Sequence, residues 1–250
     1  MFNKELEMLE NKEGQRIPAI NFKVQENNQW VVWSSEELFK GKKVIVFSLP
    51  GAFTPTCSSS HLPRYNELAA VFKNENIDAI YCVSVNDTFV MNAWKEGQNA
   101  KNIVFIPDGN GDFSAGMGML VDKTAIGFGK RSWRYSMLVD DGVINKMFIE
   151  PDVAGDPFEV SDADTMLNYV APSAKKPPNI TMLSKPGCSH CNKAKELLTS
   201  NGYSYENIEL GKNGLSFSAL KAISGNSTTP QIYIDGQLIG GADELEVWLK

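Results

Sequence analysis

A proline-rich stretch near residue 175 divides the 250-residue chain into two parts of unequal length. Residues 171–179 read Ala-Pro-Ser-Ala-Lys-Lys-Pro-Pro-Asn and contain no large apolar side chain, which is typical of a linker. The parts on either side each alternate apolar runs with amphipathic patterns, so each is expected to have its own core. The sequence therefore predicts a domain over residues 1–170, a linker over 171–179 and a second domain over 180–250.

The first part contains two continuous apolar runs, at residues 43–49 and 78–85, that have the length of buried strands. Between them, apolar residues recur at helical spacing at Leu62, Tyr65, Leu68, Ala69 and Phe72. Further helices are expected at residues 88–98 and 161–170. Apolar runs on both sides of the Asp-Asp-Gly sequence at 140–142 predict a β-hairpin. This order of elements predicts an α/β fold with a mixed sheet.

The second part predicts a smaller domain with the order βαβαββα. Its strands are expected at residues 180–183, 205–210, 231–234 and 237–239, and its helices at 189–200, 215–224 and 242–250. The Asp-Gly pair at 235–236 marks the turn between the last two strands.

The composition excludes several classes of protein. With 24 Lys and Arg residues against 30 Asp and Glu residues, the chain has a formal net charge of −6 and no electrostatic reason to bind nucleic acid or an anionic membrane. The N-terminal residues are too charged for a signal peptide, and no run approaches the ~20 apolar residues of a membrane span. We therefore expect a cytoplasmic protein whose four cysteines, too few for a disulfide scaffold, are reduced.

Cys57 lies in the first turn of a predicted helix that directly follows the first apolar strand. Thr54 suits the N-cap of this helix and Pro55 its first turn. Free backbone N–H groups and the positive end of the helix dipole favour a thiolate there, and the thiolate is the nucleophilic form. His61 and Arg64 are expected on the same face, where a positive neighbour would favour the thiolate further. The alternatives are a simple packing role for Cys57, and packing or pairing at a subunit contact for His61 and Arg64.

The sequence Pro-Gly-Ala-Phe-Thr-Pro-Thr-Cys at residues 50–57, followed by His-Leu-Pro at 61–63, resembles the active-site loop of the type-five peroxiredoxin subfamily. Further matches to that subfamily lie at residues 84–90, 106–109 and 134–137. The resemblance implies a thioredoxin-like fold and the reduction of hydrogen peroxide or alkyl hydroperoxides at Cys57.

The same resemblance implies roles for three further residues. Thr54 and Arg134 would contact the peroxide and the thiolate, and Pro50 would shield the sulfur from water. A guanidinium suits this position because it stays charged and offers several donors to the departing oxygen. Arg131 is a nearby alternative, and the family pattern favours Arg134.

Residues 150–161 contain no cysteine, although some members of the subfamily carry a resolving cysteine in the comparable stretch. Cys82 is the other cysteine before the linker, and it lies in the middle of an apolar strand, where a packing role is expected. The first domain therefore resembles the one-Cys kind, in which an outside thiol must reduce the sulfenic acid formed at Cys57.

Cys188 and Cys191 open a helix after a short strand in the second domain. Cys188, at the helix start, is expected to be the attacking thiol and Cys191 the resolving thiol, with Lys185 adding positive charge. A Cys-x-x-Cys sequence is also half of a zinc site, but His190 is the one other cysteine or histidine in this domain. Zinc generally takes four ligands, so no metal is expected.

Thr-Thr-Pro at 228–230 and Ile-Gly-Gly-Ala-Asp at 239–243 complete a resemblance to the glutaredoxins over residues 178–250. It implies a cis-Pro230 opposite Cys188 and a groove for glutathione. Three parts of this groove would hold the carboxylates of glutathione, namely the backbone of Thr229, the helix start at Ala242–Asp243, and Lys185. Ser189, His190 and Thr229 depart from the commonest glutaredoxin pattern, which leaves the reduction potential open. His190 either raises the thiolate fraction of Cys188 or is simply solvated.

Taken together, the two domains resemble fused peroxiredoxin–glutaredoxin proteins, which implies two thioredoxin-like domains and glutathione-dependent peroxidase activity. Glutathione, or Cys188 directly, would attack the oxidised Cys57, and Cys188 with Cys191 would complete the recycling. No tightly bound cofactor is expected, glutathione is the reducing co-substrate, and a homo-oligomer, dimer or tetramer, is anticipated. The alternatives are a peroxide sensor or redox-regulated chaperone, and a scaffold for an iron–sulfur cluster.

Overall fold

The computed structural model of the protein describes residues 9–26, 28–212 and 215–250. Its contacts separate two units at the boundary between Lys175 and Lys176. The first eight residues of the predicted first domain lie outside the described part. Within that part, no helix is both long enough and apolar enough to cross a membrane.

A five-stranded mixed sheet forms the centre of the first unit, with its strands in the order β5 (Val104–Pro107), β4 (Ala79–Ser84), β3 (Lys43–Leu49), β8 (Tyr135–Asp140) and β9 (Val143–Ile149). Strands β3, β4 and β5 run parallel, whereas β8 runs antiparallel to both β3 and β9. In chain order the elements of this unit are β1 (Asn21–Glu26), β2 (Gln29–Ser34), α1 (Ser35–Phe39), β3 (Lys43–Leu49), α2 (Leu62–Asn74), β4 (Ala79–Ser84), α3 (Thr88–Gly97), β5 (Val104–Pro107), α4 (Asp112–Gly116), β6 (Leu120–Asp122), β7 (Lys130–Ser132), β8 (Tyr135–Asp140), β9 (Val143–Ile149) and α5 (Ala163–Val170).

The apolar run of β3 is buried on both faces of the sheet, as its composition predicts. Successive side chains of a strand point to opposite faces. Ile45, Phe47 and Leu49 accordingly join one hydrophobic core, to which α2 and α5 contribute. Val44 and Val46 join a second core on the other face, which includes residues of β1 and α1. The central strand is therefore held from both sides, and the loop that follows it starts from a rigid position.

The hairpin between β8 and β9 has the turn chemistry expected from its sequence. Asp141 and Gly142 have φ angles of 44° and 76°, the left-handed backbone that two-residue hairpin turns require. The antiparallel pairing of β3 with β8 sets Ser48 opposite Tyr135. Residue 134, which precedes β8, is therefore placed at the end of β3 where the loop with Cys57 begins.

Several short elements of the first unit were not expected from the sequence. Residues 30–33 of β2 are apolar, but the β1–β2 hairpin exposes much of both strands, so it is not a strand buried on both faces as β3 is. Strand β5 has four residues and ends in a proline. Short apolar runs of this kind are compatible with a strand or with a buried helical segment, and the pairing of β1 with β2 and of β4 with β5 decides for the strand.

The second unit has the predicted βαβαββα order. Its elements are β10 (Ile180–Ser184), α6 (Ser189–Ser200), β11 (Glu206–Glu209), α7 (Phe217–Ser224), β12 (Gln231–Ile234), β13 (Gln237–Gly240) and α8 (Ala242–Trp248). The sheet order is β11-β10-β12-β13, with β10 and β11 parallel and the other pairs antiparallel. Helices α6 and α8 supply Ala194, Leu198 and Leu245 to the core against this sheet.

The start of the predicted linker packs against the first unit. Ala171 is buried and belongs to the same core as α2 and α5, and Ala174 packs against that core. The backbone N–H of Ala171 donates to the carbonyl of Leu167, which continues the last turn of α5.

Candidate active site

Cys57 begins a π-helical turn, Cys57–His61, that leads directly into α2. The thiol is fully buried in the core beneath the sheet. Helical backbone begins just after Thr54, because Ser58 N donates to Thr54 O at 3.0 Å. Cys57 thus lies in the first helical turn, as the sequence predicts, where backbone N–H groups are not yet paired within the helix.

The Arg134 guanidinium is the positive charge next to this thiol. Its Nη1 lies 3.4 Å from Cys57 Sγ and 3.2 Å from His61 Nδ1, and its Nη2 pairs with Asp156. The guanidinium also lies 5.5 Å from the centre of the Phe158 ring. Although Arg134 is only 1% exposed, its charge is balanced by Asp156 and by these polar and aromatic contacts.

His61 contacts Arg134 as a neutral acceptor, so it does not supply the positive charge that the helical spacing suggests. Its Nε2 lies 3.2 Å from the carbonyl of Ser161. Because a carbonyl oxygen only accepts, Nε2 carries the hydrogen and Nδ1 accepts from Arg134. Burial, with the nearby charge of Arg134, lowers the pKa of His61 to about 3. His61 therefore orients the guanidinium while remaining uncharged.

Arg64 does not face the thiol either. Its guanidinium makes a two-point contact with Asp164 of α5, at 2.8 and 3.0 Å, and a third contact with Glu67. Both partners belong to the same chain, whereas the packing alternative placed this pairing at a subunit contact. The charge of Arg64 is used to join α2 to α5, which leaves Arg134 as the cation at Cys57.

Thr54, Pro50 and Arg131 are the remaining residues that the sequence placed near this thiol. Thr54 Oγ1 donates to the carbonyl of Gly51 at 2.8 Å, so its hydroxyl closes a turn and does not act as the expected N-cap acceptor. Pro50 is half-buried at the end of β3. Arg131 donates to the carbonyls of Val85 and Phe128, away from the sulfur.

Cys82 is buried in the middle of β4, opposite Phe47 of β3. It belongs to the same core as Cys57, and both cysteines are free thiols. Burial raises the pKa of the Cys82 thiol well above its usual value, and the nearby Cys57 adds to that rise. Cys82 therefore has the environment of a packing residue.

Cys188 is the N-cap residue of α6 in the second unit, and a disulfide joins it to Cys191, with the Cα atoms 5.2 Å apart. The backbone N–H of Cys191 donates to Cys188 Sγ at 3.1 Å. The peptide bond between Thr229 and Pro230 is cis, and it brings the carbonyl and hydroxyl oxygens of Thr229 to 3.5 Å from Cys188 Sγ. Cys188 is 8% exposed and Cys191 1%, so Cys188 is the more exposed of the two residues.

A groove of about 610 Å³ opens beside Cys188. All five residues expected to hold glutathione line it, namely Lys185, Thr229, Pro230, Ala242 and Asp243. Two groups beside the predicted carboxylate site at Ala242–Asp243 have partners within the protein. The backbone N–H of Gly241 already binds the Glu244 carboxylate at 2.8 Å, and the carboxylate of Asp243 pairs with Lys193 at 3.0 Å. That hydrogen bond from Lys193 lowers the pKa of Asp243.

The structure also brings residues to the first thiol that the sequence did not suggest. Asp156, Phe158 and the carbonyl of Ser161 surround Arg134 and His61, and none of the three was assigned a role at Cys57 from the sequence. No local pattern identifies them, because their partners are distant in sequence.

At the second thiol, Glu244 is the residue that was not named from the sequence. Its position has a recognisable pattern, because it lies three residues after the N-cap residue Gly241 of α8.

Two family models match the chain, Redoxin over residues 12–167 and Glutaredoxin over residues 180–239. A hybrid peroxiredoxin from Haemophilus influenzae is 60% identical over 234 residues, which cover 94% of this chain and 97% of that protein. A peroxiredoxin from Synechocystis is 50% identical over 180 residues, which cover 65% of this chain and 95% of the other.

Solved structures show the same relationship for the first unit. A reduced peroxiredoxin from Vibrio vulnificus, crystallised with hydrogen peroxide, has a TM-score of 0.60 and 42% identity, and covers 63% of this chain and 98% of its own. The one-Cys peroxiredoxin of Plasmodium falciparum has a TM-score of 0.61 and 36% identity, with coverages of 64% and 98%.

Two α/β units, each with a cysteine at a helix start, define a thiol-based redox protein of thioredoxin-like fold, and the predicted fold class is confirmed. The chain belongs to the peroxiredoxin family, in the hybrid form that joins a redoxin domain to a glutaredoxin domain. This membership places it among the thiol peroxidases.

Proposed function

We propose that this protein reduces hydrogen peroxide and alkyl hydroperoxides to water and alcohols at Cys57, with glutathione as the electron donor. One observation carries the proposal: a buried sulfur at a helix start has a guanidinium nitrogen 3.4 Å away. The crystal structure of the Vibrio relative contains hydrogen peroxide, which supports the choice of substrate class.

The chemistry follows from the residues around the sulfur. The Cys57 thiolate attacks one peroxide oxygen and the O–O bond breaks, so that the sulfur becomes a sulfenic acid. The departing oxygen carries the electron pair and takes up a proton to form water or an alcohol. Arg134 donates to the developing negative charge, and its fixed geometry means that no reorganisation is needed during the reaction. Thr54 and Pro50 are proposed to bind the peroxide and to shield the sulfur.

Recycling needs a thiol from elsewhere, because residues 150–161 contain no cysteine and Cys82 lies in the core. Glutathione condenses with the sulfenic acid, releases water and leaves a mixed disulfide on Cys57. The Cys188 thiolate then attacks the glutathione sulfur and releases the Cys57 thiolate. A second glutathione then attacks the glutathione sulfur on Cys188, which releases glutathione disulfide and the Cys188 thiolate. Alternatively, Cys191 displaces the bound glutathione and forms the Cys188–Cys191 disulfide, which two further glutathione molecules reduce with release of glutathione disulfide. Direct attack of Cys188 on the sulfenic acid is the alternative first step.

The groove beside Cys188 supports this part of the proposal. It is lined by Cys188 itself, and by Lys185 and the residues near Thr229, which suit the carboxylates of glutathione. Joining the two domains in one chain raises the effective concentration of one thiol for the other to about the millimolar range. Such recycling needs a compartment that holds reduced glutathione, and we propose the cytoplasm.

The decisive experiment measures glutathione-dependent peroxide consumption by single-cysteine variants. We expect complete loss for Cys57→Ser, a large loss for Cys188→Ser and a partial loss for Cys191→Ser, with Cys82→Ser as the matched control. Activity in Cys57→Ser would refute the peroxidase site. Full activity of Cys188→Ser at physiological glutathione would refute the cooperation of the domains. Very slow turnover of the unmodified protein would favour a peroxide sensor.

We further propose that the protein forms a homo-oligomer. Large apolar side chains are exposed on the first unit, among them Phe53 at 60% and Ile126 at 64%. Exposed apolar side chains of this size are candidates for burial between subunits. Light scattering coupled to size-exclusion chromatography measures the mass directly, and a monomer at micromolar concentration would refute the proposal.

A further inference from the structure

Three residues of one short segment, residues 156–161, contact the Arg134–His61 pair. Asp156 pairs with Arg134 Nη2. The Phe158 ring lies 5.5 Å from the guanidinium and 5.0 Å from the His61 ring. The carbonyl of Ser161 accepts from His61 Nε2. Any movement of this 156–161 segment would therefore be transmitted to the atoms that face Cys57.

The segment is held by the Glu150 carboxylate. Oε2 accepts from Glu159 N at 2.8 Å, and Oε1 accepts from Val160 N at 3.0 Å and from the N–H and hydroxyl of Ser161 at 2.8 and 2.7 Å. Because Glu150 is only 1% exposed, these four hydrogen bonds replace the hydration that the carboxylate would have in water. Hydrogen bonds to a charged acceptor are the stronger kind, and a buried network of them specifies one arrangement.

Glu150 is itself fixed to the strand end that carries the guanidinium. Its backbone N–H donates to the carbonyl of Arg134 at 3.1 Å, and its carbonyl accepts from Trp133 Nε1 at 2.9 Å. One residue therefore ties the backbone of Arg134 to the segment that contacts the side chain of Arg134.

We propose that Glu150 is a positioning residue of the peroxidase site. It acts through the 156–161 segment, which fixes the Arg134 guanidinium and the His61 ring relative to Cys57. The inference rests on the proposed peroxidase function. In Glu150→Gln an NH₂ group replaces an acceptor oxygen and faces a backbone N–H, so part of the network is lost and the segment shifts. Displacements of about 1 Å remote from the chemistry can cost about 100-fold in rate.

The test compares two reactions of Cys57 in the full-length protein, with Cys188 and Cys191 both replaced by serine. One is oxidation by hydrogen peroxide in a stopped-flow instrument, and the other is alkylation by iodoacetamide, which breaks no O–O bond. For Glu150→Gln we expect the peroxide rate constant to fall about 10- to 100-fold, and the alkylation rate constant to change less than about 3-fold. The matched control is Glu159→Gln, an exposed side chain in the same segment, which should leave both rate constants unchanged.

A double-mutant cycle tests the route through Arg134. If Glu150 acts by positioning the guanidinium, Glu150→Gln should add little to the loss already caused by Arg134→Gln. Three results would each overturn the inference. The losses in the peroxide rate constant from Glu150→Gln and Arg134→Gln could be additive, the peroxide and alkylation rate constants of Glu150→Gln could fall equally, or both could equal those of the Glu159→Gln control. If the unmodified protein does not react with peroxide at Cys57, the proposed function fails instead.

A gentler variant covers the case in which Glu150→Gln does not fold. Ser161→Ala removes one of the four hydrogen bonds to the carboxylate and keeps the carbonyl that binds His61. We expect the peroxide rate constant to fall about 3-fold, which is less than for Glu150→Gln because only one hydrogen bond is lost. The alkylation rate constant should be unchanged. An unchanged ratio of the two rate constants in this variant would overturn the inference.

Discussion

His61 makes the stability of the first unit depend on pH in a way that can be calculated. Its ring is fully buried, and the pKa falls from 6.5 to about 3 because of burial and the neighbouring Arg134 charge. In the unfolded chain the same imidazole is solvated and titrates near 6.5. Between these two values the unfolded chain binds a proton that the folded chain does not. The contribution of the neutral His61 ring to the free energy of unfolding is therefore complete above pH 6.5 and decreases progressively as the pH falls towards 3.

The size of the effect follows from linkage. Between the two pKa values, each unit of pH changes the free energy of unfolding by about 1.4 kcal/mol. Lowering the pH from 7.5 to 5.0 covers about 1.5 such units, so His61 should reduce the free energy of unfolding by about 2 kcal/mol. Gln can replace both hydrogen bonds, since its amide donates towards Ser161 and its carbonyl accepts from Arg134. His61→Gln should therefore lose about 2 kcal/mol less than the unmodified protein over the same pH range.

The assay is denaturant unfolding at pH 7.5 and 5.0, followed by tryptophan fluorescence. Four of the five tryptophans lie before residue 171, so a Trp248→Phe background makes the signal report on the first unit alone. His190→Gln is the matched control, and it should keep the full pH-dependent loss because His61 is retained. Equal losses for His61→Gln and the unmodified protein would refute the reasoning, whatever the absolute stability of either variant.

Three further predictions concern other buried groups. Cys82→Ala should retain peroxidase activity and lower the free energy of unfolding by about 1–2 kcal/mol, because it removes a fully buried group from the core; a loss of activity would argue against a packing role. The buried Asp108 carboxylate accepts from Phe113 N, Ser114 N and Ser114 Oγ, so Asp108→Ala should cost about 2–4 kcal/mol in denaturant unfolding, and a cost below ~1 kcal/mol would contradict the network. After reduction, iodoacetamide should label Cys188 before Cys191 in a peptide map, because Cys188 is the more exposed of the two, and the reverse order would show that Cys191 is the attacking thiol.

Some parts of the fold could be predicted because their information is local. The apolar run of β3 predicted its bounds at Lys43–Leu49, and the helical pattern of α6 predicted Ser189–Ser200. The Asp-Gly turns of both units were visible because only a few residues tolerate left-handed backbone there. The β1–β2 hairpin and β5 were not predicted, since short apolar runs such as residues 30–33 and 103–106 do not by themselves distinguish a strand from a helical segment.

The two thiol sites differ in how much the sequence determined. It identified Cys57, Cys188 and Cys191 as nucleophile candidates, because a cysteine after a strand and at a helix start is a local pattern. The residues around Cys57, by contrast, are distant in sequence. His61 and Ser161 are one hundred residues apart, and Arg134 lies 77 residues after Cys57. Those contacts depend on the register that sets β8 beside β3 and on the Glu150 hydrogen bonds. Helical spacing suggested a positive His61, whereas burial, which only the tertiary structure provides, keeps that ring neutral and leaves Arg134 as the cation at Cys57.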